Sequence, residues 1–150
     1  MVYLVRHAEP VYPPPADAPH DPPLNAAGRE RAQQLSHVLR DAGISRVLST
    51  DLRRTTQTAG PLAERLGLTI EFYDPGALGV FAEELQAAAS GSFLVAGHSN
   101  TTPQLVSALG GEPGAPIDEK TEFDRLYVVT LRPGRPPVTQ HLRYGRPPAP

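Results

Sequence analysis

Short apolar runs alternate along the chain with longer segments whose apolar residues recur every three or four positions, a pattern that predicts strands and helices in turn. Val2 to Val5 reads as a buried strand. From about Ala27 to Ala42 the residues Ala32, Leu35, Leu39 and Ala42 share one helical face, with Asn25 or the residue beside it as cap and Gly43 as stop. Arg46 to Ser49 follows as a short buried strand. A second helix, from about Leu52 to Leu66, buries Leu52, Ala59, Leu62 or Ala63, and Leu66, and ends at Gly67. Leu68 to Tyr73 reads as a strand, Phe81 to Ala89 as a helix and Phe93 to Ala96 as another buried strand. Pro103 to Leu109 forms a helix with proline in its first turn, ended by Gly110-Gly111, and the strands Leu126 to Leu131 and about Val138 to Tyr144 complete the set. This alternation points to an α/β fold, a three-layer α/β/α sandwich on a mostly parallel sheet. The last two strands, joined by residues 132–137, read as an antiparallel pair at one edge. No internal repeat is visible.

Composition narrows the picture. A length of 150 residues suits one domain spanning 1–150. Basic and acidic residues number 14 and 16, so no overall field favours nucleic acid or an anionic membrane, and any anion specificity has to be local. The absence of cysteine excludes disulfides, thiol catalysis and zinc-thiolate sites. No apolar run approaches the ~20 residues of a membrane span, and the chain opens on a strand rather than a basic-then-apolar leader. A cytoplasmic location is therefore the default expectation. Of the 18 prolines, seven lie between Pro10 and Pro23 and six from Pro133 onward. Residues 10–23 accordingly read as a stiff extended loop directly after Arg6-His7, and residues 146–150 as a frayed tail.

The chemistry gathers at strand ends. The first strand delivers Arg6 and His7 together at its carboxyl end, the position where α/β proteins place their sites. A guanidinium offers a charged fork to an anion, and an imidazole that is largely neutral near pH 7 offers a nitrogen nucleophile, so a phosphoryl group is the natural substrate. A later strand ends in Gly97-His98-Ser99 and leads into a helix whose start can present free N–H groups. If those two strands are neighbours, His7 and His98 face one pocket. The stretch Ser49 to Ala59 puts Arg53 and Arg54 in the first turn of a helix after a strand. Only one of the pair points inward, because consecutive helical residues diverge by about 100 degrees. His20, His37 and His141 read as surface or packing residues. Glu9 either orients a group beside the pocket or is an ordinary loop carboxylate. A metal site built from His7, His98 and a carboxylate is conceivable, but the neighbouring arginines would repel the cation.

Four stretches in order carry a resemblance: Leu4-Val5-Arg6-His7, then Pro23-Leu24-Asn25-Ala26-Ala27-Gly28, then Ser49 to Ala59, then Gly97-His98-Ser99. The sequence resembles the histidine phosphatase superfamily, which includes phosphoglycerate mutases, broad phosphomonoesterases and phosphohistidine phosphatases, as a compact member without a large cap insertion. The resemblance implies that His7 is the nucleophile, Arg6 and Arg54 the phosphate clamps, and His98 the second histidine on the transferred group. It selects Arg54 through the spacing Leu-x-Arg-x-x-Gln-Thr-Ala, leaving Arg53 to solvent; Asn25, Ser99 and Glu9 are the candidate substrate-binding residues beside these four. No metal and no cofactor are implied. Physically, two arginines suit the equatorial oxygens of an in-line phosphoryl transfer better than lysines do.

Two departures stand out. Ala8 replaces the glycine common after Arg-His, and residues 74–81 lack the Glu-Gly signature that many relatives carry near a general-acid glutamate. Asp74, at a strand end, and Glu83, in a helix, are the possible acids. A leaving alkoxide needs protonation more than an activated ester or an imidazole does, so the expected reaction is metal-independent hydrolysis of phosphomonoesters or phosphohistidine, with mutase chemistry less favoured. The substrate is a phosphorylated small molecule or a phosphoprotein, with neither nucleic acid nor membrane as partner. The oligomeric state and the natural substrate are left open. One rival is a non-catalytic phosphate-binding or regulatory module; another is an interaction protein that uses the proline-rich loop as an extended ligand.

Overall fold

The computed structural model describes residues 1–88 and 90–150. Its elements run β1 (Val2–Arg6), α1 (Ala26–Leu39), β2 (Ile44–Ser49), α2 (Arg53–Leu66), β3 (Ile70–Phe72), α3 (Leu78–Ala87), β4 (Ser92–Gly97), α4 (Thr101–Ala108), β5 (Arg125–Arg132) and β6 (Arg135–Arg143). One sheet has the order β3-β2-β4-β1-β5-β6. The strands β3, β2, β4 and β1 are parallel, β5 runs antiparallel to β1, and β6 antiparallel to β5.

Because side chains alternate across a strand, neighbouring apolar residues serve opposite layers. Leu4, Leu48 and Val95 pack with Phe81, Leu85, Leu105 and Val106 on the α3/α4 side. Their chain neighbours Val5, Val47 and Leu94 pack with Leu35, Leu39, Ala59 and Leu62 on the α1/α2 side. Strands buried on both faces explain why they read as unbroken apolar runs.

The boundaries shift where local geometry overrides the pattern. Helix α1 ends at Leu39 rather than Ala42, since the Ala42 amide already bonds the Leu39 carbonyl in a tightened turn and Gly43 then takes a left-handed φ of 73°. Helix α3 starts at Leu78; its expected end at Ala89 lies outside the described residues. Helix α2 continues through Pro61, which removes one donor, and Gly60 before it has no Cβ to meet the proline ring. Strand β6 starts at Arg135, so Pro136 and Pro137 belong to the strand rather than to the connection. Proline is tolerated there because β6 lies at the sheet edge, where part of the backbone needs no ladder partner.

The proline-rich segment is not a single extended arm. Pro10 and Leu24 form an antiparallel bridge, the Val11 amide bonds the Pro23 carbonyl, and the Asn25 amide bonds the Glu9 carbonyl, so the segment doubles back and closes at its neck. Asp21 then caps α2 from this loop, its carboxylate accepting from the Arg53 amide at 2.7 Å. Strand propensity could not show this, because the closing partners belong to distant residues.

Candidate active site

Sheet order brings the chemistry together. Strand β4 lies between β1 and β2, with Arg6 opposite Gly97 and Ser49 opposite Ala96. The carboxyl ends of three adjacent strands therefore meet, and the next residues out are His7, His98 and Thr50. Arg6, His7, Arg54 and His98 line one cavity of about 1200 Å³.

His7 is 6% exposed and its ring lies 5.6 Å from that of His98. Its Nδ1 is 2.7 Å from the Ala8 carbonyl, which can only accept, so Nδ1 carries the proton and Nε2 keeps its lone pair. Burial pushes His7 down to about 3 against the opposing pull of the Ala8 carbonyl, with Arg6, His98 and Arg54 adding to the fall. The ring is neutral, with Nε2 free of hydrogen bonds among the described residues. Its backbone is equally fixed: the His7 amide donates to the Gly97 carbonyl, and the Ala8 amide to Thr58 Oγ1 at 2.8 Å.

The two arginines are held differently. Arg6 is 5% exposed, stacks 4.0 Å over the Phe123 ring, and spends its terminal nitrogens on the carbonyls of Glu122, Glu119 and, more weakly, Asp118, at 2.8, 2.6 and 3.4 Å. Of the five N–H groups of a guanidinium, this leaves the Nε–H, which is buried and unpartnered, and one hydrogen on Nη2. Those two form one edge of the fork, ready for two oxygens of an anion. Burial lowers Arg6 to about 10 even though Glu119, Glu9, Asp118 and Glu122 raise it, so it stays charged at neutral pH. Among the described residues the Arg54 guanidinium hydrogen-bonds the His20 carbonyl alone, at 3.5 Å, and it lines the cavity. Arg53 is exposed, as its place on the helix predicts.

His98 bonds Thr50 Oγ1 through Nε2 at 3.0 Å. Burial, then Arg54 and Arg6, lower it to about 4, so it too is neutral when the cavity is empty.

The remaining candidates separate. Ser99 lines the cavity. Asn25 and Glu9 also line it, but both are occupied in building it. The Asn25 side chain caps α1 at Gly28 and donates to the Pro10 carbonyl, while Glu9 is gripped by Arg31 through contacts of 2.8, 2.9 and 3.0 Å. Neither possible acid reaches the cavity. Asp74 accepts from the Gly76 amide in its own turn, and Glu83 is exposed on α3. His20, His37 and His141 lie exposed outside the cavity lining.

Sequence reasoning missed a wall. Residues 118–123, between α4 and β5, bring Glu119, Lys120 and Phe123 to the cavity. The segment is braced from behind by Glu122, whose carboxylate binds Arg125 and Arg143. Burial would raise Glu122, but hydrogen bonds from Arg125, Arg143 and the Asp118 amide outweigh it and hold the carboxyl at about 2. The only signal in the sequence was the alternation of charge from Asp118 to Arg125, which is common on solvated loops.

The profile of the histidine phosphatase superfamily (branch 1) matches residues 2–75, the stretch that supplies Arg6, His7 and Arg54. The chain thus resembles that superfamily over just under half of its length. It is 38% identical over 74 residues to a protein named "Probable phosphoglycerate mutase GpmB" from Salmonella arizonae, an alignment covering 48% of this chain and 34% of that relative. The chain thus spans about a third of the length of the curated relatives it matches. Among solved structures, it is similar to the protein histidine phosphatase SixA complexed with tungstate, with a TM-score of 0.71 and 21% identity over 95% of this chain and 94% of that one. An alpha-ribazole phosphatase from Shigella flexneri aligns with a TM-score of 0.70 and 16% identity over 95% of both chains. At these identities the structural likeness establishes the fold.

Proposed function

We propose that this protein is a metal-independent phosphatase that hydrolyses phosphomonoesters or phosphohistidine through a phosphohistidine on His7. The observation that carries the reading is the bare Nε2 of a neutral, backbone-anchored His7 in a cavity shared with two guanidiniums and a second imidazole. A phosphoryl dianion repels most nucleophiles, and Arg6 and Arg54 offset that charge while holding the equatorial oxygens. His7 Nε2 attacks phosphorus as the bond to the leaving group breaks. Water then attacks the phosphohistidine, and the P–N bond electrons return to Nε2.

The leaving group requires a proton. Glu9 is committed to Arg31, whereas Glu119 lines the cavity and its side chain has no ion-pair partner among the described residues. Glu119 therefore replaces Asp74 and Glu83 as the donor in this reading, giving its proton to the leaving oxygen and recovering one from the attacking water. Glu119→Gln should slow turnover of alkyl phosphates about 100-fold while leaving p-nitrophenyl phosphate, whose leaving group needs little help, nearly unchanged. Equal losses on both substrates would remove Glu119 from this role.

Hydrolysis is preferred to transfer. The β3–α3 connection spans only residues 73–77, too short for a lid that would hold a phosphorylated intermediate away from water. Phosphate release from a panel of phosphomonoesters, both phosphoglycerate isomers and a phosphohistidine peptide, compared between the native protein and His7→Ala, tests the reading. Release that depends on His7, with an acid-labile phosphoenzyme, supports a phosphatase. Isomer exchange without release would indicate a mutase, and phosphate binding without turnover a regulatory module.

A further inference from the structure

His98 can meet a ligand in the cavity through one ring nitrogen only, because the other is engaged behind it. Nε2 lies 3.0 Å from Thr50 Oγ1, which lies 2.7 Å from Thr55 Oγ1. Thr50 is 1% exposed and Thr55 fully buried, so the two hydroxyls must satisfy each other and their protein neighbours.

The far end of this chain fixes its direction. Thr55 Oγ1 is 3.0 Å from the carbonyl oxygens of both Thr50 and Leu52, which only accept; turning its single proton to Thr50 would leave a bare hydroxyl oxygen against two carbonyls, so the arrangement with the most hydrogen bonds points that proton to one of them. The Thr55 oxygen must then accept from Thr50, which uses the one proton Thr50 has. Thr50 Oγ1 is left to accept from His98, so Nε2 bears a proton and the Nδ1 of the neutral ring is bare.

A bare Nδ1 is the wrong partner for an unprotonated phosphoryl oxygen, since both carry lone pairs. We propose that Thr50, backed by Thr55, is a positioning residue that holds His98 in its Nε2–H tautomer, so that the cavity takes up a phosphoryl dianion together with one proton shared between His98 Nδ1 and a phosphoryl oxygen. The inference rests on the phosphoryl-pocket reading above. The proton comes from solvent on binding and returns to solvent on release, and no covalent bond changes during uptake. The groups facing His98 are Arg6 from β1, His7 directly after it and Arg54 from α2, with Glu9, Glu119 and Lys120 farther around the cavity. Burial and the two arginines keep the ring neutral while the site is empty. A dianion cancels the arginines' field and makes the added proton favourable.

Calorimetric titration with inorganic phosphate, in buffers of different ionisation enthalpy and at a pH where phosphate is mainly the dianion, measures this uptake. The native protein should take up about one proton per phosphate bound. Thr50→Val keeps the shape but not the hydroxyl, freeing the ring to present Nδ1–H. It should abolish most of the uptake and lower turnover about tenfold or more, with Thr50→Ser restoring both. Phosphate binding by the native protein without proton uptake would overturn the proposal, as would unchanged uptake in Thr50→Val. If Thr50→Val does not fold, the native value decides by itself. Uptake without His7-dependent turnover would leave this inference standing and remove the phosphatase reading. Turnover without uptake would do the reverse.

Discussion

At the scale of single residues, the site depends on keeping two imidazoles uncharged beside two charged guanidiniums. His7 and His98 are held at about 3 and 4, below the ordinary 6.5, so the folded protein refuses protons that the unfolded chain accepts. Stability conferred by the neutral rings is complete above pH 6.5 and is lost as pH falls from about 6.5 toward 3. The urea midpoint should therefore drop between pH 7.5 and pH 5.5, and drop less in His7→Gln; a midpoint independent of pH would refute the buried-neutral assignment. Arg54 has little besides the cavity to hold it, so its loss acts on chemistry more than on folding. Arg54→Ala should lower kcat about 100-fold or more with little change in the thermal midpoint, by analogy with losing one oxyanion donor. A loss of tenfold or less in steady-state kinetics would remove Arg54 from the phosphate clamp.

At the scale of elements, the motifs are joints as much as chemistry. In the run Gln57-Thr58-Ala59, Gln57 accepts from the Leu24 amide, Thr58 accepts from the Ala8 amide, and Ala59 is fully buried. Helix α2 thereby locks both the residue after His7 and the returning proline-rich loop. Gly28 does the same for α1, because a Cβ there would run into the Glu9 carbonyl. Gly28→Ala should cost about 2 kcal/mol or more by overpacking. Gly79→Ala, in the exposed first turn of α3 with open space around it, should gain about 0.5 kcal/mol. Denaturant unfolding of the two variants checks the contrast, and similar values would mean that the approach of α1 to Glu9 is not tight.

At the scale of the whole molecule, Arg31 ties the site to the end of the chain. Its buried guanidinium grips Glu9 and also donates to the carbonyls of Tyr144 and Arg146, linking the loop after β1, helix α1 and the segment after β6. Removing one partner of such a pair leaves an uncompensated charge, so Arg31→Ala should cost about 3 kcal/mol in denaturant unfolding. The double variant Glu9→Gln with Arg31→Met should recover part of that loss. The α/β order, the three layers, the antiparallel edge and the four cavity side chains were all legible beforehand, because apolar periodicity and turn residues are local and Arg6-His7, Arg54 and His98 sit in contiguous motifs. Strand order was not, since the pairing of β1 with β4 joins residues more than 90 positions apart and only that pairing puts His7 against His98. Neither Glu119 and Phe123 as a wall nor the hydroxyl chain behind His98 could be read from the chain, because loop carboxylates and threonines gain their meaning from what they face. The sequence by itself determined which groups could do phosphoryl chemistry. Tertiary structure decided how they are charged and which nitrogen each histidine offers, because burial and hydrogen-bond direction are properties of packed neighbours rather than of the residues themselves.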